Sequence, residues 1–372
     1  MTLVAGLAVA TFVYVLAATL STALRRPRAV TRLNDASPPI SLLKPLHGAE
    51  PNLYRNLRSF CTQRYPDYQI LFGVQHPDDP AVKVAERLRD EFPLLDIQIV
   101  VDVRHYGINP KVNNLINLRQ RARHPYLVIS DSDIEVTPDY LANVTAPLQH
   151  ADTGVVTCLY HAKANKGLWS RLGRLFVNDW FAPSVRLSLA LGLQEYCAGA
   201  SIAIRAEVLD RLGGFAAVKD QLADDFWIGK LCRSAGLTTV VCEQSVTTDV
   251  HLGSFVEMWH QEVRWMRTTR SLTPICFSFM FVTMTTPLAL LLLFMTPSLM
   301  CHVIAATALF MRLVLHLRQN SFRPLDVALI PLRDSLLLAE WCVALLGGSV
   351  IWRGQKLQIE GGGSDKLSLP TP

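Results

Sequence analysis

Apolar and polar positions change rhythm several times along this chain. Residues 1–24 carry no charged side chain, a run long enough for one helical membrane crossing. From Ile40 onward, short apolar or β-branched runs alternate with segments whose apolar residues recur at helical spacing. Residues 40–43 read as a strand, and Pro51 opens a helix that places Leu53, Leu57, Phe60 and Cys61 on one face. Strands are predicted over 68–74, 97–101 and 126–130, with helices over 81–92 and 113–121 between them. Such alternation predicts an α/β domain built on a mostly parallel sheet with helices on both faces.

From Val155 the pattern loosens. Residues 164–191 mix Trp169, Trp180, Phe181, Arg171, Arg174 and Arg186 with apolar positions, which suits a lipid headgroup layer and a catalytic core equally. Cys197-Ala198-Gly199-Ala200-Ser201 leads into a strand over 202–205, and its small side chains let a substrate approach the backbone closely. Leu212-Gly213-Gly214-Phe215 stops a helix, Asp224 and Asp225 open another that runs to about Cys232, and a late strand spans 238–242. Ser254, three residues before Glu257, forms a capping box for an amphipathic helix over 255–270. Residues 271–311 are uncharged and accommodate two spans broken at Thr296-Pro297-Ser298. Residues 325–352 are apolar but contain Asp326, Arg333, Asp334 and Glu340, as a re-entrant or interfacial segment would. The organisation expected is an anchor (1–24), a linker (25–39), a catalytic domain (40–253), an interfacial helix (254–270), a membrane or re-entrant region (271–352) and a tail (353–372) that reads as disordered from Gly361 onward.

Composition sharpens this picture. Half of the 372 residues are hydrophobic, high for a soluble enzyme. Arg25, Arg26 and Arg28 follow the first apolar run, with no basic residue before it and no small-residue cleavage site after it, so a retained anchor is expected. The basic flank places the following domain on the cytoplasmic side. The eight cysteines show no Cys-x-x-Cys pair, which argues against a zinc site or a disulfide framework. A net charge of +5, without arginines interleaved with aromatics, points to a lipid bilayer as partner and not to nucleic acid.

The candidate chemistry sits where strands end. The fourth strand delivers Asp131-Ser132-Asp133, and ligands of open α/β sheets gather beyond such ends. Paired carboxylates suit Mg2+ or Mn2+ held against a diphosphate, although an isolated Asp-x-Asp is more often an acidic turn. Asp79 or Asp78, after the second strand, can accept hydrogen bonds from a base or ribose; equally, either can cap the helix that begins near Pro80, a duty that suits Asp78. Lys111, in Gly107-Ile108-Asn109-Pro110-Lys111, can meet a phosphate as a point charge or remain a solvated loop lysine. Asp225, at a helix N-terminus, can stay ionised and take a proton from a hydroxyl. Gln261, Arg264 and Trp265 lie on the amphipathic helix.

The ordered set of Asp79, Asp131 with Asp133, Asp225, and Gln261 with Arg264 and Trp265 resembles the D, D, D, (Q/R)xxRW pattern of membrane-bound inverting glycosyltransferases with a GT-A fold. Ser41-Leu42-Leu43-Lys44-Pro45-Leu46, Gly107-Ile108-Asn109-Pro110-Lys111 and Trp352-Arg353-Gly354 are similar to ceramide glucosyltransferases and the bacterial hopanoid-biosynthesis glycosyltransferases. The resemblance implies a UDP-sugar donor, a divalent metal on Asp131 and Asp133, Asp79 at the uridine, and Asp225 as base. Gln261, Arg264 and Trp265 would hold the diphosphate and the acceptor mouth. The acceptor it implies is a membrane lipid, ceramide or a hopanoid such as bacteriohopanetetrol. A processive polysaccharide synthase shares the motifs but needs more spans, and a degenerate nucleotide- or lipid-binding regulator would not keep every acid.

Overall fold

The computed structural model describes residues 2–23, 37–193, 196–295, 298–352, 355–359 and 367–368. Arg25, Arg26 and Arg28, linker residues 25–36, the break at Thr296 and Pro297, Arg353 and Gly354, and most of the tail lie outside them. The chain forms two compact units, one of residues 27–163 and 194–249, the other of 1–26, 164–193 and 250–372. Residues 164–193, inside the stretch expected to be catalytic, pack within the second.

The first unit is built on an eight-stranded sheet: β1 Ile40–Pro45, β2 Tyr68–Val74, β3 Asp96–Val101, β4 Tyr126–Ser130, β5 Ile134–Glu135, β6 Thr153–Ala164, β7 Ser201–Arg205 and β8 Thr238–Val250, in the order 3-2-1-4-7-6-8-5. β1 pairs in parallel with β2 and β4, so Leu42 sits between Ile70 and Val128. β2 pairs in parallel with β3. The expected parallel half is therefore β1 to β4. Beyond it β7 runs antiparallel to β4, with Ser201 opposite Ser130, and β6 antiparallel to β7. Two apolar clusters, one containing Leu42, Phe60, Ile70 and Val128, the other Leu43, Leu71, Ile129 and Ile202, take alternate side chains of the central strands. Every residue of β2 is buried, as expected where both faces are covered.

This topology fixes one edge. The chain leaves β1, β2 and β4 at the same end, and the antiparallel β7 begins there, opposite the last residue of β4. The turns after three strands and the approach to a fourth thus converge.

The second unit is helical. Among the described residues two helical stretches, Ala5–Thr22 and Leu299–Gln319, are long and apolar enough to cross a membrane, and a third crossing exists if Pro274–Thr283 with Thr285–Met295, bent by 62°, is one span. Ala8, Ala289, Leu292, Cys301 and Ala305 pack the first helix against the later ones. The helix Pro324–Leu345 keeps its charges because each finds an ion partner inside the unit. Asp326 takes Arg171 at 2.8 Å and Arg174 at 2.6 Å. Asp334 takes Arg312 at 2.8 Å, and Arg333 bridges Glu262 at 2.7 Å and Glu340 at 2.6 Å. Buried charges survive only when paired in this way. Arg171, Arg174 and Arg312 are therefore internal ion partners. A π-helical turn, Val177–Phe181, brings Asp179 to Arg312 and to His316 Nδ1, at 3.3 and 2.7 Å. A three-stranded sheet of β9 Ser349–Trp352, β10 Gln355–Ile359 and β11 Leu367–Ser368 ends the described chain.

Candidate active site

Asp131-Ser132-Asp133 forms the turn between β4 and the short β5. Asp133 accepts a 2.7 Å hydrogen bond from Thr248 Oγ1 on β8. Burial, and next the neighbouring Asp131, push the Asp133 carboxyl up to about 6. Beneath the turn lies Lys44 of β1, wholly buried, whose ammonium donates to the Asp131 carbonyl and to Ser130 Oγ and sits 3.9 Å from the centre of the Phe60 ring. Its burial lowers it to about 7, against the pull of Asp131 and Asp133.

Lys111 is not in a loop. The helix expected over 113–121 runs from Pro110 to Arg119, with Asn109 as its N-cap: Asn109 Oδ1 accepts from the N–H groups of Lys111 and Val112 at 2.9 and 3.1 Å. Asn at the N-cap followed by Pro at the first helical position is a start signal that the sequence carried. In this first turn Lys111 Nζ is 2.8 Å from Asp131 Oδ1 and 3.6 Å from Asp224 Oδ2. Burial opposes its charge, but Asp131, Asp224 and Asp225 outweigh that effect and raise its pKa.

The helix Asp224–Ser234 opens with both acids as expected. Asp225 accepts from the Gly199 N–H at 2.6 Å and from the Phe226 N–H at 2.8 Å. Burial and then Asp224 push Asp225 up to about 7, offset in part by Lys111 and these N–H groups. Gly199 lies among the candidate groups: a Cβ there would be 2.9 Å from Lys111 Nζ, 3.2 Å from Asp225 Oδ2 and 3.6 Å from Asp131 Oδ2. The hydroxyl of Thr157 on β6 holds this segment, bonded to both N and O of Ala198.

Asp79 lies at the same edge. Its carboxylate accepts from the N–H of Gly48 at 3.0 and 3.1 Å and from that of Ala81 at 2.9 Å. It ties the turn after β1 to the start of the helix Ala81–Glu91, so Asp79 and not Asp78 serves that helix. Gln261, Arg264 and Trp265 belong to the helical unit, on Phe255–Leu272, whose capping box forms as expected with Ser254 accepting from the Glu257 N–H at 3.1 Å. The Trp265 ring packs 5.5 Å from that of Phe176. Farther along, Arg270 donates to the carbonyls of Ala344 and Gly347, at 2.5 and 2.6 Å, capping the end of Pro324–Leu345.

Asp131, Asp133, Asp224 and Asp225 thus outnumber the two lysines, Lys44 and Lys111, at one sheet edge. A divalent cation would relieve that imbalance, and the paired carboxylates of Asp131 and Asp133 are hard oxygen donors of the type Mg2+ and Mn2+ take. Among the described residues no three His, Cys, Asp or Glu side chains stand close enough to hold a metal by themselves. A cation here would fill its shell from water and phosphate, as Mg2+ commonly does.

The chain is 27% identical over 238 residues to ceramide glucosyltransferase 1 of Caenorhabditis elegans, covering 64% of this chain and 51% of that protein. It is 26% identical over 348 residues to ceramide glucosyltransferase 3 of the same organism, covering 89% and 74%. The first match spans about half of its relative. A mannosyltransferase from Pyrobaculum calidifontis, solved with GDP-mannose and Mn2+, superimposes with a TM-score of 0.57 at 17% identity over 92% of this chain and 97% of that one. That likeness establishes the GT-A fold. A family model covers residues 2–365, and the chain belongs to glycosyl transferase family 21.

Proposed function

We propose that this protein transfers a hexose, glucose or N-acetylglucosamine, from a UDP-sugar to a hydroxyl of a membrane lipid, ceramide or hopanoid, with inversion at the anomeric carbon. The observation that carries the proposal is the gathering of Asp131, Lys111 and Asp225 around Gly199 at the sheet edge, in a family 21 chain with two helices long enough to cross a bilayer.

Asp131 and Asp133 would hold the divalent cation, which supplies positive charge to the diphosphate as it leaves. Lys111 adds a fixed ammonium at the same place. Asp225, its two oxygens oriented by the N–H groups of Gly199 and Phe226, accepts the proton of the lipid hydroxyl. The lipid oxygen forms a bond to the anomeric carbon as the bond from that carbon to the diphosphate oxygen breaks, and UDP leaves with the electron pair. One displacement turns an α-linked donor into a β-glycoside. We assign Asp79 to the uridine and Gln261, Arg264 and Trp265 to the diphosphate and the acceptor mouth. The catalytic unit faces the cytoplasm in this reading.

Mass spectrometry of lipids from a bacterial host expressing the chain, supplied with ceramide or with hopanoid, tests it. The expected product is a lipid heavier by one hexose or one N-acetylhexosamine. A polymer, or no new lipid under either supply, would refute the proposal.

A further inference from the structure

Lys111 has two carboxylate partners of opposite character. Asp131, at 2.8 Å, has a side chain 37% exposed and belongs to the turn that would receive the donor phosphates; Asp224, at 3.6 Å, is only 8% exposed. Asp224 is fixed by Asn109, whose Nδ2 reaches Asp224 Oδ1 at 3.5 Å and the Gln221 carbonyl at 2.8 Å. The same amide accepts, through Oδ1, from the Lys111 backbone N–H. Two further hydrogen bonds dock the strip before Lys111 on the strip before Asp224: Asn109 N to the Lys219 carbonyl at 2.9 Å, and Ile108 N to Asp220 Oδ1 at 3.0 Å. The backbone of Lys111 and the carboxylate of Asp224 therefore share one anchor, whereas Asp131 is attached to neither.

When anionic phosphates and a cation engage Asp131, Lys111 loses its nearer partner. A lysine is a point charge on a flexible stem, and without a second carboxylate its ammonium would be free to leave the site. We propose that Asp224 is a positioning residue for donor binding: fixed by Asn109, it holds the Lys111 ammonium in the nucleotide diphosphate site while Asp131 is engaged elsewhere. This inference rests on the donor site proposed above. Asp224 touches neither donor nor acceptor in it, and acts only through Lys111.

Because the action is indirect, a double-mutant cycle exposes it. The full chain, purified in detergent, is titrated with UDP by calorimetry in the presence of Mn2+, as wild type, Asp224→Asn, Lys111→Met and the double variant. Asp224→Asn is expected to weaken UDP binding by about tenfold, the scale of one charge-assisted contact, and Lys111→Met by a similar factor. The double variant should bind no more weakly than Lys111→Met alone, and Asp224→Glu should restore most of the affinity. Asn109→Ser provides an independent arm should Asp224→Asn not fold. Serine keeps the helix cap but removes the amide that fixes Asp224, so it should weaken UDP binding in the wild-type background and not in Lys111→Met. Losses that multiply in the double variants, or unchanged UDP affinity in Asp224→Asn, would overturn the inference. No UDP binding by the wild type would instead sink the donor site on which it rests.

Discussion

Gly199→Ala tests the gathered site with the smallest change available. The added Cβ would stand 2.9 Å from Lys111 Nζ, 3.2 Å from Asp225 Oδ2 and 3.6 Å from Asp131 Oδ2. Comfortable contact for a methyl carbon begins at about 3.5 Å, so the ammonium must retreat by roughly half an ångström or more and the base by a few tenths. Gly199 is not among the glycines with positive φ, and alanine adds no backbone strain there. Lys111 can yield at little cost to the fold, but yielding breaks its 2.8 Å contact with Asp131. Displacing reacting groups by about 1 Å costs about a hundredfold in rate. A shift of about half that size corresponds to roughly tenfold on the same scale, so we expect kcat/KM for the UDP-sugar to fall by about tenfold while Tm moves by no more than ~4 °C. Initial rates of lipid glycosylation in nanodiscs, with thermal melts on the same preparation, measure both. Wild-type kcat/KM would show that the methyl meets no working group, and a collapse of Tm would show that Gly199 serves the fold.

Further outcomes follow from the same geometry. Asp225 is held near 7 by burial and by Asp224, so if it is the base, as proposed, turnover rises as pH climbs through about 7 and its carboxyl ionises. The stability this raised carboxyl contributes, full below the ordinary carboxylate range, is lost over the same rise; a flat pH-rate profile from about pH 5.5 to about pH 8 would contradict this. Asp133→Ala removes a proposed cation ligand and should weaken Mn2+-dependent UDP binding by about tenfold or more, which calorimetry reads; identical titrations with and without the substitution would discount Asp133. In the helical unit Arg333→Met leaves Glu262 and Glu340 facing each other without a cation. Breaking a buried ion pair costs roughly 3–5 kcal/mol, and an unaltered melting temperature in detergent would refute that.

Much of the catalytic fold was legible because buried parallel strands announce themselves as continuous apolar runs. β1, β2 and β4 lie where the pattern put them, and the acids at their ends fall at one edge. β6 was missed because Thr153–Ala164 alternates small, polar and aromatic residues after leaving the core, and because β8, expected over 238–242, continues to Val250 through threonines and an aspartate. The start of the Lys111 helix was readable in Asn109-Pro110 yet obscured by the surrounding amides, which looked like loop. The small residues around Gly199 signalled a close approach to the backbone, but not that three side chains meet there, since that depends on β7 running antiparallel to β4. The arginines of residues 164–191 misled because pairing within a helical unit and contact with headgroups favour the same composition.

The most direct measurement is transfer of radiolabelled glucose from UDP-glucose to ceramide in proteoliposomes, run side by side with wild type and Asp225→Asn. Labelled β-glucosyl lipid from the wild type, and none from a variant that still binds UDP, is the expected result. Equal label from both proteins would remove Asp225 from the chemistry and with it the reading of the sheet edge as an active site.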